Sequence, residues 1–263
     1  MDKLKKLKSI LKEMGSVLVA YSAGVDSTFL LKVARDCLGS KVLAVTADSP
    51  TYQRQELKFS KKMARELGVR HKVIKTLELE DKNFIKNPVD RCYFCKSELF
   101  SRLRKIAKDN RLNFVADASN VSDKKDFRPG SIAKNELGVR SPLQESGFTK
   151  EDIRIFSKKL GLKTWDKPSL ACLASRIPYG RKISSPVLSR INKAEEFLRK
   201  AGFKQVRLRH YDGLCRIEVA KSEISLLAHK SNLVVDRLKK MGYNYITLDL
   251  EGYRTGSMNE VIK

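Results

Sequence analysis

The sequence predicts an α/β protein: a doubly wound parallel sheet followed by a smaller α+β unit. Three observations carry that reading. Short apolar segments alternate with segments of helical periodicity up to about residue 160. The first apolar segment runs straight into a loop of small residues, SAGVDST at 22–28, that opens a helix. After Gly161 the alternation stops, and a loop-like stretch leads to a helix, two strands, a helix and a last strand. A boundary is therefore expected near residue 165, giving units at 1–165 and 166–263.

Each element has a local cause. Leu4, Leu7, Ile10, Leu11 and Met14 recur at helical spacing and stop at Gly15, which suits a C-terminal cap. The strand Val17–Tyr21 follows, then a helix from about Asp26 to Cys37, a strand at Lys41–Thr46, a helix from about Gln53 to Leu67, and a strand at His71–Lys75. A helix from about Cys95 to Lys108 precedes Asn113–Ala118, whose apolar run suits a buried parallel strand. A helix from about Thr149 to Leu160 closes this half. Beyond the loop KTWDKPSLACLASRIPYGRKISSP, a helix is expected over Val187–Lys200. Antiparallel strands Gln205–Tyr211 and Leu214–Val219 turn at Asp212–Gly213, a helix runs to Met241, and a strand lies at Tyr245–Leu248.

The 263 residues are 41% hydrophobic, enough to fill such cores, and 54 Lys and Arg against 30 Asp and Glu leave a net charge of +24. The charge is spread along the chain rather than clustered, so solvated lysine faces explain it better than a dedicated nucleic-acid stripe, and phosphate-bearing ligands fit either account. No run of about 18 apolar residues occurs and the N-terminus lacks the pattern of a signal peptide, so a cytoplasmic protein with no membrane partner is expected. Its five cysteines are then reduced thiols, metal ligands or catalysts rather than disulfides.

A parallel strand ending in a small-residue loop at a helix N-terminus is a phosphate site, because backbone N–H groups and the helix dipole converge there. Gly24 offers positive φ and close approach; Ser22, Ser27 and Thr28 offer hydroxyls; Asp26 caps the helix or orients Mg²⁺. The loop is neither a Walker A sequence nor a dinucleotide fingerprint. SAGVDS resembles the SGGxDS loop of the N-type ATP pyrophosphatases, or PP-loop enzymes, which cleave ATP to AMP and pyrophosphate while adenylating a substrate. Ala23 departs from one of the two usual glycines, the one at the motif's second position. In this resemblance Thr46 lies where an adenine would sit, Asp117 and Ser119 of DASN form a second nucleotide-facing turn, and Arg128 of DFRPG meets phosphate or ribose.

Within that superfamily the whole chain resembles the LarE family, through the loop, DRCYFCKSELF, WDKPSLACLASRIPYG and RLRHYDGLCRIEV. That family comprises ATP-dependent sulfur transferases that mature the nickel-pincer nucleotide of lactate racemase. The resemblance implies that Cys172 bears the sulfur. Independently, Lys167, Arg176 and Arg181 are near it in sequence and favour a thiolate, while a small buried residue is the plain alternative. Cys92 and Cys95 form a CxxC that suits a redox pair, half a metal site or two incidental residues.

The family divides into single-cysteine members, which give up that cysteine's sulfur, and three-cysteine members that hold a [4Fe–4S] cluster. Cys92, Cys95 and Cys172 match the second kind and imply a cluster whose open iron carries hydrosulfide from a sulfide donor. Zinc would need a fourth ligand, for which His71, His210 and His229 are on offer. Cys37 and Cys215 read as core residues.

Arg207 and Arg209 alternate on one strand and so share a face, which suits the phosphate and carboxylates of an anionic nucleotide or an exposed face of a basic sheet. The resemblance tips them toward substrate and adds Ser175, Arg176 and Glu195. It implies adenylation of pyridinium-3,5-biscarboxylic acid mononucleotide by ATP and Mg²⁺, then conversion to thiocarboxylate with release of AMP. Assembly of the chain with copies of itself is expected. The alternatives are a tRNA-thiolating PP-loop enzyme, for which no zinc-ribbon pair or RNA-binding module is recognisable, and a nucleotide-responsive binding protein without catalysis.

Overall fold

A computed structural model of the chain describes residues 2–125, 129–168 and 171–262. It divides into two compact units, Met1–Asp81 with Asp90–Leu170, and Lys82–Val89 with Ala171–Lys263. The division thus falls at 170/171 rather than near 165, and a short segment from the middle of the sequence, 82–89, joins the second unit.

In the first unit, α1 (Lys3–Met14) buries Leu7, Leu11 and Met14 and ends on Gly15 at φ +70, whose N–H reaches the carbonyls of Leu11 and Lys12. Strand β1 (Val17–Ala20) leads into α2 (Val25–Leu38), β2 (Val42–Asp48) into α3 (Arg54–Glu66), and β3 (Arg70–Lys75) follows. The second unit's α4 (Lys82–Ile85) interrupts before α5 (Arg91–Asp109) and β4 (Phe114–Ala116). Helices α6 (Gly130–Glu136), α7 (Pro142–Glu145) and α8 (Lys150–Lys159) complete the first unit. Among the described residues its sheet has four strands in the order β3-β2-β1-β4, all parallel, with Val17 level with both Val42 and Phe114.

Alternate residues of these strands enter two cores. Val17, Val19 and Ala44 pack with Leu11, Phe29, Leu30 and Met63 on one face. Leu18, Leu43 and Val45 pack with Leu99, Phe100 and Leu103 of α5 on the other. Helices therefore cover both faces, and the fold is the doubly wound α/β sheet. The order reverses between β1 and β4, and the loop after β1 opens beside that switch point. Gly130 is required by close approach: a Cβ there would lie 2.9 Å from Lys96 Cγ and 3.2 Å from the Cys92 carbonyl on α5.

Thr149 and Asp152 form a reciprocal capping box at α8. Partial burial pushes the Asp152 carboxyl up, but hydrogen bonds from Lys3 and Thr149 outweigh it and hold the pKa down to about 2. A depressed carboxyl contributes stability above its unfolded pKa and loses it as pH falls toward the folded one. The cap's contribution is thus present at neutral pH and lost from about pH 4 down to about pH 2. Asp152→Asn should flatten that part of the stability profile and cost about 1 kcal/mol at pH 7, read from denaturant midpoints.

The second unit contains α4, α9 (Ser185–Lys200), β5 (Val206–Tyr211), β6 (Leu214–Val219), α10 (Ile224–His229), α11 (Ser231–Lys240) and β7 (Tyr245–Leu248). Strands β5 and β6 pair antiparallel through a turn at Asp212, φ +56, and β7 adds parallel to β6. The expected single helix before Met241 is two, α10 and α11, broken at Lys230. No helix among the described residues is long and apolar enough to cross a membrane.

Candidate active site

The loop that β1 delivers is held from within. Ser22 and Ser27 hydroxyls are 3.0 Å apart, and the N–H of Thr28 donates to the Gly24 carbonyl at 3.0 Å. Left-handed backbone falls on Ala23, φ +56 and fully buried, while Gly24 sits at φ −78. The expectation that Gly24 supplies positive φ is therefore corrected: the strained position is Ala23, where the resemblance has the first of its two glycines. An alanine there carries about 1–2 kcal/mol of steric cost. A Cβ on Gly24 would make only ordinary contact, 3.4 Å from Ser22 Oγ.

Asp26 makes no helix cap. Lys150 Nζ is 2.5 Å from its Oδ2, and Asn120 Nδ2 donates to its Oδ1 at 3.5 Å. Asn120 so joins the 117–120 turn to the loop. Within that turn Asp117 accepts from the Ser119 hydroxyl at 2.5 Å and from Ser141 Oγ at 2.6 Å, and Ser141 accepts from buried Lys134 at 2.8 Å. Thr28 and Thr46 are buried, with protein partners for their hydroxyls. Thr28 Oγ1 lies 3.4 Å from the hydroxyl of Tyr21, whose pKa burial pushes up to about 12. Thr46 Oγ1 donates to the Tyr21 carbonyl at 2.8 Å, so His71 Nε2, also at 2.8 Å, is the donor to it. Arg128 lies outside the described residues.

The sequence names Lys167 only for its nearness to Cys172. Its ammonium is 3.1 Å from the Ala23 carbonyl, 2.6 Å from Glu56 and 3.9 Å from the Phe59 ring centre. It thus stands against the loop after β1, a placement its position in the sequence does not reveal. Lys150 and Glu56 were missed, since neither stands in a motif that marks a partner so distant in sequence, whereas Asn120 belongs to the DASN turn that the sequence marks.

Cys92 is exposed and Cys95 half-buried, one turn apart in the first turns of α5. Cys172, half-buried, belongs to the second unit and precedes a short 3₁₀ turn over Leu173–Arg176. Among the described residues no three Cys, His, Asp or Glu side chains gather to hold a metal ion. The thiols match a [4Fe–4S] cluster in kind but form no gathered ligand set. Cys215 is a core residue, its thiol pushed up to about 12 by burial, and Cys37 packs against the first core.

The remaining candidates form a buried ionic network. Arg176 and Glu195 are fully buried and paired through Nε and Oε1 at 2.7 Å and through Nη2 and Oε2 at 3.1 Å. Burial raises the Glu195 pKa, but Arg176, with Arg199 and Arg207, outweighs it and keeps the carboxyl below the usual range. Ser175 Oγ donates to the Cys172 carbonyl at 2.8 Å. Arg209 grips Glu218 at 2.8 and 2.6 Å and donates to Ser257 and the Ser175 carbonyl. Arg207 lies over the Tyr253 ring at 5.0 Å, and its pKa is lowered to about 10 by burial and by neighbouring Arg176. At 4% and 5% exposure, Arg207 and Arg209 are no exposed face of a basic sheet.

No family model matches the chain. It is 42% identical over 263 residues to an uncharacterised protein of Synechocystis, covering 99% of this chain and 98% of that one. An uncharacterised protein of Methanocaldococcus jannaschii is 31% identical over 97% of this chain and 98% of its own. The pyridinium-3,5-bisthiocarboxylic acid mononucleotide synthase of Lactiplantibacillus plantarum is 37% identical over 257 residues, 97% of this chain and 93% of the synthase. Identity of 37% along 97% of the chain has one reading: the chain belongs to the LarE family, that of the synthase.

Proposed function

We propose that the chain inserts sulfur into pyridinium-3,5-biscarboxylic acid mononucleotide in two stages, adenylation and sulfur transfer. The observation that carries this is the Ser22–Ser27 loop, which β1 presents to the N-terminus of α2 at the sheet's switch point. ATP is the phosphate ligand. Its β- and γ-phosphates meet the loop N–H groups, the Ser22 and Ser27 hydroxyls and the Lys167 ammonium, which exchanges Glu56 or the Ala23 carbonyl for phosphate oxygen. Asp26, 23% exposed at its side chain, is the carboxylate that would hold Mg²⁺ in place of Lys150. When bound, the metal would neutralise phosphate charge.

A substrate carboxylate attacks the α-phosphorus and pyrophosphate leaves, its charge met by the loop and Lys167. The Cys172 thiolate attacks the resulting acyl-adenylate carbonyl, expelling AMP and forming a thioester. Removal of the Cys172 α-proton by a base then breaks its Cβ–S bond, leaving thiocarboxylate on the product and dehydroalanine in the chain. Adenylation is tested by exchange of labelled pyrophosphate into ATP. Exchange should require the dicarboxylate nucleotide; exchange without it, or none with it, contradicts the reading.

A second reading is favoured by the CxxC thiols of Cys92 and Cys95 together with Cys172: a [4Fe–4S] cluster that would supply an iron able to carry hydrosulfide. Anaerobic treatment with iron and sulfide should then leave four irons per chain, lost in Cys92→Ala, Cys95→Ala and Cys172→Ala alike. Absence of bound iron removes this reading and leaves Cys172 as the sulfur source.

A further inference from the structure

Arg176 and Glu195 carry the family's substrate face by resemblance, yet the donors of Arg176 are directed at the protein itself. Its Nη1 donates to the carbonyl of Ala171 at 2.9 Å, the carbonyl of Cys172 at 3.1 Å and the Ser175 hydroxyl at 3.0 Å. Its other edge lies fork to fork on Glu195. Glu195 in turn accepts from the N–H of Leu208 on β5 at 3.2 Å and from Arg199 at 2.7 Å. A continuous chain of hydrogen bonds therefore runs from β5, between Arg207 and Arg209, through α9 to the peptide of Cys172. The Cys172 carbonyl takes three donors, since the N–H of Ser175 also reaches it at 3.0 Å. A buried ion pair contributes little net stability over apolar packing, so what this one supplies is geometry.

We propose that Arg176 and Glu195 are positioning residues, a clamp that fixes the Cys172 turn relative to the β5 arginines, and that they do not bind substrate. This rests on the reading of Cys172 as the sulfur-bearing residue. A substrate carboxylate reaching Arg176 would have to displace Glu195 in a site with no exposed surface on either partner. The clamp acts on the second stage alone, because adenylation uses the loop of the first unit.

Arg176→Lys keeps the charge beside Glu195 but cannot make the fork and grip both carbonyls together. The test measures pyrophosphate released, thiocarboxylate formed and KM for the dicarboxylate nucleotide, on Arg176→Lys, Ser175→Ala and Arg199→Lys. Arg199 also contacts Glu195, from a position four residues along the same helix. Thiocarboxylate per pyrophosphate should fall about tenfold to a hundredfold in Arg176→Lys, as for a misplaced reacting group, with KM within about twofold. Ser175→Ala should fall in the same direction by less, and Arg199→Lys should hold the wild-type ratio. Should Arg176→Lys melt early, Ser175→Ala carries the test. A tenfold rise in KM at an unchanged ratio would make Arg176 a substrate ligand, and a proportional loss of both stages in Arg176→Lys and Arg199→Lys would make the network merely structural; either overturns the clamp. Cys172→Ala run in parallel separates the two ideas: thiocarboxylate formed by that variant defeats the reading of Cys172 itself.

Discussion

Cys172→Ala is expected to abolish thiocarboxylate formation, by about a thousandfold or more, while dicarboxylate-dependent pyrophosphate release continues. The split follows from where the two chemistries reside. In the proposed reaction adenylation draws on the loop after β1, and the sulfur nucleophile, Cys172, precedes the 3₁₀ turn of the other unit. Removing a thiol from the second leaves the hydrogen bonds of the first in place. Cys172→Ser is the more stringent variant, since its hydroxyl preserves shape and can form an ester that holds no sulfur. Rapid quenching and mass measurement of the nucleotide distinguish acyl-adenylate from thiocarboxylate in both.

Lys167→Ala is expected to act on the opposite stage, lowering the rate of pyrophosphate release by about a hundredfold to a thousandfold. The Lys167 ammonium stands at the Ala23 carbonyl of the loop, where the proposed adenylation develops charge as pyrophosphate leaves. In its place Glu56 would remain as an unpaired carboxylate near the phosphates, which compounds the loss. Pairing Lys167→Ala with Glu56→Gln separates the two effects. The double variant should recover part of the rate if repulsion by Glu56 contributes, and binding of ATP, followed calorimetrically, should weaken in the single variant more than in the double.

The sheet was legible because its strands are buried on both faces, and a run such as Val42–Val45 has one physical explanation. The Ser22–Ser27 loop was legible because a strand, small residues and a helix stood together in the chain. What escaped was set by contacts between distant segments. Lys150 reaches Asp26 across 124 positions and Lys167 reaches Ala23 across 144, and neither carries a local pattern. Helix α5 begins at Arg91, ahead of the expected Cys95, so both cysteines of the CxxC are helical, a point the sequence between them does not reveal. Arg207 and Arg209 were placed correctly on one strand, but alternation alone cannot tell a buried ionic network from an open anion site. The partners that decide, Glu195 and Glu218, come from α9 and β6.

Sulfur insertion is read out by mixing the protein with ATP, Mg²⁺ and pyridinium-3,5-biscarboxylic acid mononucleotide, then weighing the nucleotide and the protein and counting pyrophosphate. Sulfur in place of a carboxylate oxygen, one pyrophosphate per sulfur inserted, and a protein lighter by H₂S at Cys172 is the predicted result for the thiol route. An unchanged nucleotide from a folded, ATP-binding chain, or sulfur inserted without pyrophosphate, would contradict it.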